Sequence, residues 1–227
     1  MDARREASAG DRTSAQETGR QYGEPVNSGE PIRTVVRRFD ERSIESLLSA
    51  VASPQVAPSA GATTALTGAL AASLAEMVCM HTDEADRSEQ LATARAELRD
   101  HRDRLLSLAT EDAAAVDELQ TVLEAGTDAD HEQAALRTAT DVPLRIAEAA
   151  RDVADSAAVA VADGTANARV DAVVGARLAR AAVDSAAAIV RANLELLADE
   201  AYIQETHCRI EAAETDADAV VAAVTDS

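Results

Sequence analysis

The sequence predicts an all-α domain, an antiparallel bundle of five to six helices, from two features. Alanine supplies 54 of the 227 residues, whereas the aromatic residues are three: Tyr22, Phe39 and Tyr202. A β-sandwich or barrel needs β-branched and aromatic side chains on its inner faces, while small side chains let helices pack closely. In addition, apolar residues recur at steps of three and four along most of the chain, which is the period of a helix with one buried face.

The charge balance excludes two classes of partner. There are 41 acidic residues against 21 basic ones, all of them arginine, and the net charge is −20. Binding to nucleic acids or to anionic membranes requires a cationic face, so we expect neither. An acidic surface without lysine is typical of a cytoplasm at high salt, where 1 M salt screens charges within about 3 Å.

The chain divides into a tail and a helical domain. Residues 1–39 have too few apolar side chains to offset the entropy of ordering, so we expect them to be disordered or loosely packed. The helical domain then covers residues 40–227. The N-terminus lacks the apolar stretch of a signal peptide, which favours a cytoplasmic protein.

The cysteines and histidines do not indicate a metal site. Cys79 and Cys208 form no CxxC pair, and the four histidines are not spaced as ligands. We therefore expect two free thiols in the core of a protein in a reducing compartment.

The first two helices are separated by a break. Ser43 is a plausible N-cap for a short helix over 44–51, and the two prolines and one glycine of 53–61 then interrupt any helix. Residues 62–81 carry a single formal charge, Glu76, and should form a helix buried on all sides. Its length also suits a membrane span, but small residues predominate over leucine and isoleucine, and Glu76 is costly in lipid. The central helix of a soluble domain is the preferred interpretation.

Four further helices are predicted, with boundaries set by turn and capping residues. Asp130 and Gln133 resemble a capping box, Pro143 should kink or restart its helix, and Asn167 can cap the next one. The predicted ranges are 83–125, 131–163, 168–197 and 199–224.

Asp112 interrupts the apolar stripe of the third helix. That stripe reads Leu105, Leu108, Asp112, Ala115 and Leu119, with steps of four and three. Helix curvature can carry such a residue to the rim of the core, in which case it is only a solvated acid. If it is buried, desolvation raises the pKa of its carboxyl group and suits it to proton transfer near neutral pH.

Three residues of the helix over 168–197 allow a functional as well as a structural interpretation. Asp171 lies in the first turn, where the helix dipole alone favours an acid and keeps it ionised. Arg191 and Asn193 interrupt an apolar segment. The guanidinium of Arg191 suits a carboxylate of a ligand, although an exposed pairing with Asp184 would equally explain it.

The segment 53–82, SPQVAPSAGATTALTGALAASLAEMVCMHT, resembles the beginning of the cyclodeaminase/cyclohydrolase family. That family has a short helix, a Pro-Gly-Gly-Gly-Ser-like loop, a helix of small residues and then a threonine. Pro58, Gly61 and Thr82 fit this pattern, while the other loop positions hold Ser59, Ala60 and Ala62. Four further motifs follow in the family's order: EDAAA at 111–115, DVPL at 141–144, NARVD at 167–171, with Val170 where serine is usual, and RANL at 191–194.

Together with the acidic composition, the resemblance points to a haloarchaeal-like member of the family. The resemblance itself implies a homodimer with a folate pocket near the helical dimer interface. It implies chemistry at the one-carbon bridge of tetrahydrofolate, either as a methenyltetrahydrofolate cyclohydrolase or as a formimidoyltetrahydrofolate cyclodeaminase. Neither reaction requires a metal or a redox cofactor. Asp112 and Asp171 are the expected catalytic pair, meeting near the 58–61 loop, and the expected substrate-binding residues are Pro58, Ser59, Gly61, Thr82, Arg191 and Asn193.

The alternative is a non-catalytic helical dimer or binding module of the same family. The incomplete glycine loop favours it. The two aspartates favour the enzyme, because local packing alone does not require them.

Overall fold

The computed structural model describes residues 43–225 apart from Asp86, and in that part of the chain it contains six α-helices and no strand. The all-α class is therefore confirmed. The tail predicted for 1–39 lies outside the described residues and stays a prediction. The helices are α1 (Ile44–Val51), α2 (Ala60–His81), α3 (Glu89–Ala125), α4 (Ala129–Asp163), α5 (Arg169–Leu194) and α6 (Glu200–Thr225), with a 3₁₀ turn at Ala166–Ala168 before α5.

Side-chain caps fix four of the helix starts, and the cap of α6 is Asp199, which accepts from the Ala201 and Tyr202 N–H groups. Ser43, Ser88 and Asp128 each accept a hydrogen bond from a backbone N–H of the first turn that follows. The Ser43 cap confirms the prediction for α1. The proposed Asp130 cap of α4 is wrong, because Asp128 occupies the N-cap and places Asp130 inside the first turn.

Three other helix details also differ from the sequence prediction. Helix α3 begins at Glu89 rather than near 83, since Ser88 caps it. Asn167 lies in the 3₁₀ turn and does not cap α5, which has no side-chain cap. Pro143 lies within a continuous α4, so the helix does not restart there.

Helix α2 is the central helix of the core and contacts α3, α4 and α5. The prediction that it is buried on all sides is wrong, because Leu70 and Met80 on its outer face are exposed. By length and composition α2 could cross a membrane, but more than half of its apolar stretch is buried by protein. Close packing depends on glycine at two points. A Cβ at Gly175 of α5 would lie 3.0 Å from the Ala71 carbonyl oxygen, and one at Gly68 would lie 3.1 Å from Leu105.

The two cysteines and the isolated glutamate have different environments. Cys79 is buried and free, as predicted, whereas Cys208 is exposed, so the prediction of a second core thiol is wrong. Cys208 lies on the exposed face of α6, and the other face of that helix covers the core.

Glu76 is buried on α2, where Arg102 of α3 donates a hydrogen bond to it over 2.5 Å. Arg102 thus offsets the cost of burying that carboxylate.

Candidate active site

Asp112 of α3 is buried against the first turn of α2, with 3 % of its surface exposed. Its Oδ2 atom accepts a hydrogen bond of 2.9 Å from the Ser59 hydroxyl and one of 2.8 Å from the Ala62 backbone N–H. The N–H groups at the start of a helix have no partner within the helix, so a carboxylate is favoured there. The interpretation of Asp112 as a solvated residue at the rim is therefore excluded.

Burial sets the protonation behaviour of Asp112. Desolvation raises the pKa of its carboxyl group above the ordinary value of 3.8, and the hydrogen bonds from Ser59 and Ala62 oppose that rise. Such a group is a better proton acceptor than a solvated carboxylate, yet two donors still stabilise its ionised form. It therefore meets the electrostatic requirement of a general base.

Gly61 leaves the space that the Asp112 carboxylate occupies. A Cβ built on Gly61 would lie 2.0 Å from Oδ1 and 2.4 Å from Cγ of Asp112. Two of the three loop positions that depart from the family's pattern, Ser59 and Ala62, donate hydrogen bonds to the same carboxylate. The one glycine kept in the loop is the one that this packing requires.

The two oxygen atoms of the Asp112 carboxylate differ in their hydrogen bonds. Both hydrogen bonds to Asp112 from described residues end on Oδ2, and none ends on Oδ1. One oxygen thus holds the carboxylate in position while the other can accept a proton from a bound molecule.

Replacing Ser59 by alanine should shift the pH dependence of catalysis. The Ser59 hydroxyl lowers the pKa of Asp112, so its loss raises that pKa further, and the acid limb of kcat/KM moves to higher pH. A hydrogen bond to a charged group contributes about 1.5–3 kcal/mol, so we expect roughly tenfold lower activity on that limb. The measurement is a pH–rate profile, with Thr121→Ala as the control, because that exposed hydroxyl donates only to a backbone carbonyl. A profile that is unchanged or shifted to lower pH would contradict the role of Ser59.

Asp171 does not meet Asp112 within one chain, which corrects the sequence prediction. Gly175, one turn after Asp171, packs on Ala71 and Leu74 of α2. The Thr165 N–H, just before α5, bonds to Thr82 at the end of α2. Asp171 therefore lies beside the second half of α2, whereas Asp112 contacts its first turn. At 1.5 Å per residue, the two carboxylates are roughly 20 Å apart along that helix.

Thr82 has a structural role at the C-terminal end of α2. Its buried hydroxyl donates to the Val78 carbonyl over 3.0 Å and accepts from the Thr165 N–H over 2.9 Å. These bonds join α2 to the connection between α4 and α5. The structure does not place Thr82 beside Asp112, and its substrate-binding role stays a prediction.

Arg191 and Asn193 already have partners in the folded chain. Arg191 makes a two-pronged ion pair with Glu214 of α6, at 2.8 and 2.5 Å, and this pairing raises the pKa of the arginine. The alternative pairing with Asp184 is also wrong, since Arg180 takes that carboxylate. Asn193 donates to the Ala139 carbonyl of α4 over 2.9 Å. Both residues hold helices together, so Arg191 is not a free cation for a ligand.

Two site features were missed in the sequence. The Ala62 N–H could have been found, because a helix that starts directly after a proline-containing loop offers free N–H groups at that point. The pairing of Glu214 with Arg191 could not have been found, because the two residues lie 23 positions apart on different helices. An ion pair between two helices leaves no periodic signal along the chain.

The fold and the site define an all-α domain whose buried carboxylate is positioned for proton transfer by the first turn of a central helix. The chain belongs to the formiminotransferase-cyclodeaminase family, whose model matches residues 43–212. It is 31 % identical over 179 residues to a methenyltetrahydrofolate cyclohydrolase of Methylorubrum extorquens, covering 72 % of this chain and 84 % of that protein. The crystal structure of a formiminotetrahydrofolate cyclodeaminase from Thermotoga maritima has the same fold. The two structures superpose with a TM-score of 0.79 and 23 % sequence identity, and the match covers 82 % of this chain and 96 % of the Thermotoga maritima chain.

Proposed function

We propose that this protein is a tetrahydrofolate one-carbon enzyme that hydrolyses 5,10-methenyltetrahydrofolate. The observation that carries the proposal is Asp112, a buried carboxylate with one oxygen anchored by Ser59 and Ala62 and the other without a donor among the described residues. The relative that is 31 % identical is a cyclohydrolase, which favours hydrolysis over deamination.

The reaction needs one group that accepts a proton and then returns it. Water adds to the electron-poor carbon between N5 and N10, a C–O bond forms, and the water proton passes to Asp112. The proton then moves to N5 as the C–N5 bond breaks, which leaves a formyl group on N10 and regenerates the carboxylate. As the carbonyl of the formyl group forms, the hydroxyl group of the adduct loses the second water proton to solvent, so a cationic substrate and water give a neutral product and one proton. No metal or redox cofactor is needed for this sequence.

The second candidate is the cyclodeaminase reaction, in which N10 attacks the formimino carbon and ammonia leaves. The shared fold with the Thermotoga maritima enzyme is what favours it. The cyclohydrolase and cyclodeaminase reactions are distinguished by giving the purified protein each substrate in turn. We expect loss of the methenyl absorbance and no ammonia from the formimidoyl compound; ammonia release alone would reverse the assignment. A folded protein that acts on neither would support the non-catalytic alternative.

The proposal includes a homodimer formed through the outer face of α2. This face carries a stripe without any charged residue, at steps of three and four: Thr63, Leu66, Leu70, Ser73, Met77 and Met80. Leu70 is 63 % exposed, and Val170 and Val174 of α5 continue the apolar surface. In a chain of net charge −20, an uncharged apolar face is where a second copy can approach without repulsion.

A dimer about this stripe also gives Asp171 a route to the site. A two-fold axis near Leu70 would run the two α2 helices in opposite directions. The first turn of one α2, with its Asp112, would then lie beside the second half of the other, where Asp171 is found. The catalytic pair expected from the sequence would in that case come from two chains.

Replacing Leu70 by glutamate should break the dimer. It would place an unpaired charge in an apolar interface, which costs several kcal/mol, so we expect dissociation to rise at least 100-fold and activity to fall with it. Sedimentation velocity in molar salt measures the change. The control is Leu123→Glu, because Leu123 is similarly exposed but lies on α3, outside the stripe. A wild-type monomer, or a Leu70→Glu dimer, would refute this interface.

We also propose that helices adjacent in the sequence pack antiparallel in the bundle. The proposal is supported by bonds between α3 and α4, which join 97 to 156 and 111 to 145, as expected for two helices that run in opposite directions. Between α5 and α6 they join 180 to 218 and 191 to 214, again in opposite directions. Helices α4 and α6 run in the same direction, as their bonds 141–202 and 148–209 indicate.

We also propose a cytoplasm of high salt as the working environment. The support is the net charge of −20 and the absence of lysine. Because salt screens repulsion between exposed carboxylates, the free energy of unfolding should increase with salt concentration.

A further inference from the structure

Helix α1 leaves most of its apolar face uncovered. Its apolar side chains form a stripe at steps of three and four, the α1 stripe, which consists of Ile44, Leu47, Leu48 and Val51. Leu47 packs against the core, whereas Ile44 is 77 % exposed and Leu48 62 % exposed. No residue of α1 is buried by the described part of the chain. An exposed apolar patch of this kind marks a surface that another segment or molecule covers.

Helix α1 is too short to be stable without such cover. It has eight residues, and isolated helices shorter than about 12–15 residues are marginal in water. The Ser43 cap stabilises its first turn, but most of the stability of a helix in a protein comes from packing of its apolar face. Within residues 43–225 the five longer helices pack against one another, while α1 contacts them only weakly. The cover must therefore come from outside these residues.

The chain directly before α1 contains a segment with the same spacing as the α1 stripe. In this segment, residues 31–39 (PIRTVVRRF), the large apolar side chains are Ile32, Val35, Val36 and Phe39. Their steps are those of an amphipathic helix, and Pro31 precedes them, where the start of a helix tolerates proline. They are four of the seven large apolar side chains in residues 1–39. The shortage of apolar residues in the tail therefore does not apply to this segment.

Length and charge both suit residues 31–39 to the α1 stripe. Four residues, 40–43, join the segment to α1, and antiparallel helices are joined by loops of about 2–5 residues. The segment carries three arginines and no acid. The net charge of −20 falls entirely on residues 43–227, because the first 42 residues hold eight arginines and eight acids. An apolar and basic segment is thus attracted to an apolar face on an acidic domain.

We propose that residues 31–39 form a helix that packs antiparallel on the α1 stripe. Phe39 then covers Ile44 and Leu48, and the three arginines lie on the opposite side of the segment. The match to the family begins at residue 43, so this helix is an addition of this chain to the family's fold.

The added helix would also support the candidate active site. The Ser53 hydroxyl donates to the Ala50 carbonyl at the end of α1, and the Gln55 N–H donates to Ser53. These bonds connect α1 to the loop that carries Ser59, which bonds to Asp112. A segment that holds α1 in place therefore holds the start of this loop.

The first test is the fluorescence of Phe39→Trp in the full chain. The protein has no tryptophan, so this variant carries a single reporter. We expect its emission to be shifted to the blue and shielded from acrylamide, and adding Leu48→Gln should return it to that of an exposed indole. Ser49→Gln is the matched control, because Ser49 is exposed on α1 outside the stripe, and it should leave the emission unchanged. Exposed emission from Phe39→Trp alone, or emission that ignores Leu48→Gln, would overturn the proposal.

Hydrogen exchange of α1 distinguishes residues 31–39 from a second copy of the chain as the cover. In the full-length variant Val36→Gln/Phe39→Gln, the amides of α1 should exchange about tenfold faster than in the wild type, equal to about 1.4 kcal/mol. Tyr22→Gln, a change in the tail outside the segment, should exchange like the wild type. Equal rates in the wild type and the double variant, or protection that rises with protein concentration, would refute the assignment. Neither measurement requires turnover, so the outcome is independent of the proposed hydrolysis.

Discussion

Asp112→Asn is expected to abolish turnover of 5,10-methenyltetrahydrofolate while the protein stays folded. The amide cannot accept and return the water proton, and the loss of a general base typically costs 10²–10⁴-fold, so we expect kcat to fall by about that factor. Because the substitution keeps size and shape, affinity for the folate should stay within about tenfold, or about 1.4 kcal/mol. Steady-state kinetics and a titration of bound ligand measure the two effects separately.

Stability provides the control for this variant. Burial raises the pKa of Asp112, so the folded protein holds that proton more tightly than the unfolded chain. The contribution of Asp112 to the free energy of unfolding therefore falls as pH rises from the unfolded pKa through the higher folded pKa. Above that range the ionised carboxylate is a cost that asparagine does not carry. Asp112→Asn should thus be at least as stable as the wild type at neutral pH, whereas a fully active variant would remove Asp112 from the mechanism.

Gly61→Ala is expected to inactivate the protein by displacing the same carboxylate. The new Cβ would lie 2.0 Å from Oδ1, so Asp112 must move and give up its bonds to Ser59 and Ala62. A displacement of about 1 Å at a reacting group costs about 100-fold in rate, and overpacking of this kind costs about 1–3 kcal/mol of stability. Kinetics and thermal unfolding measure the two losses.

Two comparisons test whether displacement of the Asp112 carboxylate causes the losses in Gly61→Ala. Gly68→Ala also crowds α2, but against the Leu105 side chain, which is not part of the site, so it should leave activity unchanged. A double-mutant cycle is the second comparison. In an Asp112→Ala background the space beside residue 61 is empty, so Gly61→Ala should no longer destabilise the protein. The same destabilisation in both backgrounds would show that the carboxylate is not what Gly61 accommodates.

The sequence predicted the helices, because they follow from local periodicity, but it left open whether Asp112 lies in the core or at its rim. The apolar stripe with Leu105 and Leu108 is a property of one helix, and the structure buries it together with Asp112, which decides between the two interpretations of that residue. Helix ends were less accurate where two acids compete for one cap, as Asp128 and Asp130 do.

The arrangement of the site was only partly predictable. Contact between the 58–61 loop and Asp112 could be inferred from the resemblance, but the position of Asp171 depends on which half of α2 faces α5. That choice is fixed by the close approach of Gly175 to Ala71, a contact between residues about a hundred positions apart. The pairing of Arg191 with Glu214 is of the same kind, since two helices must first dock before it forms.

The most direct test of the central claim is the rate at which the methenyl absorbance is lost in molar salt, compared between the wild type and Asp112→Asn. We expect a rate proportional to wild-type concentration above the spontaneous hydrolysis of the substrate, and no rate above that background for the variant. A folded wild type that does not exceed the background, or a variant that matches the wild type, would contradict the claim that Asp112 catalyses hydrolysis of the one-carbon bridge.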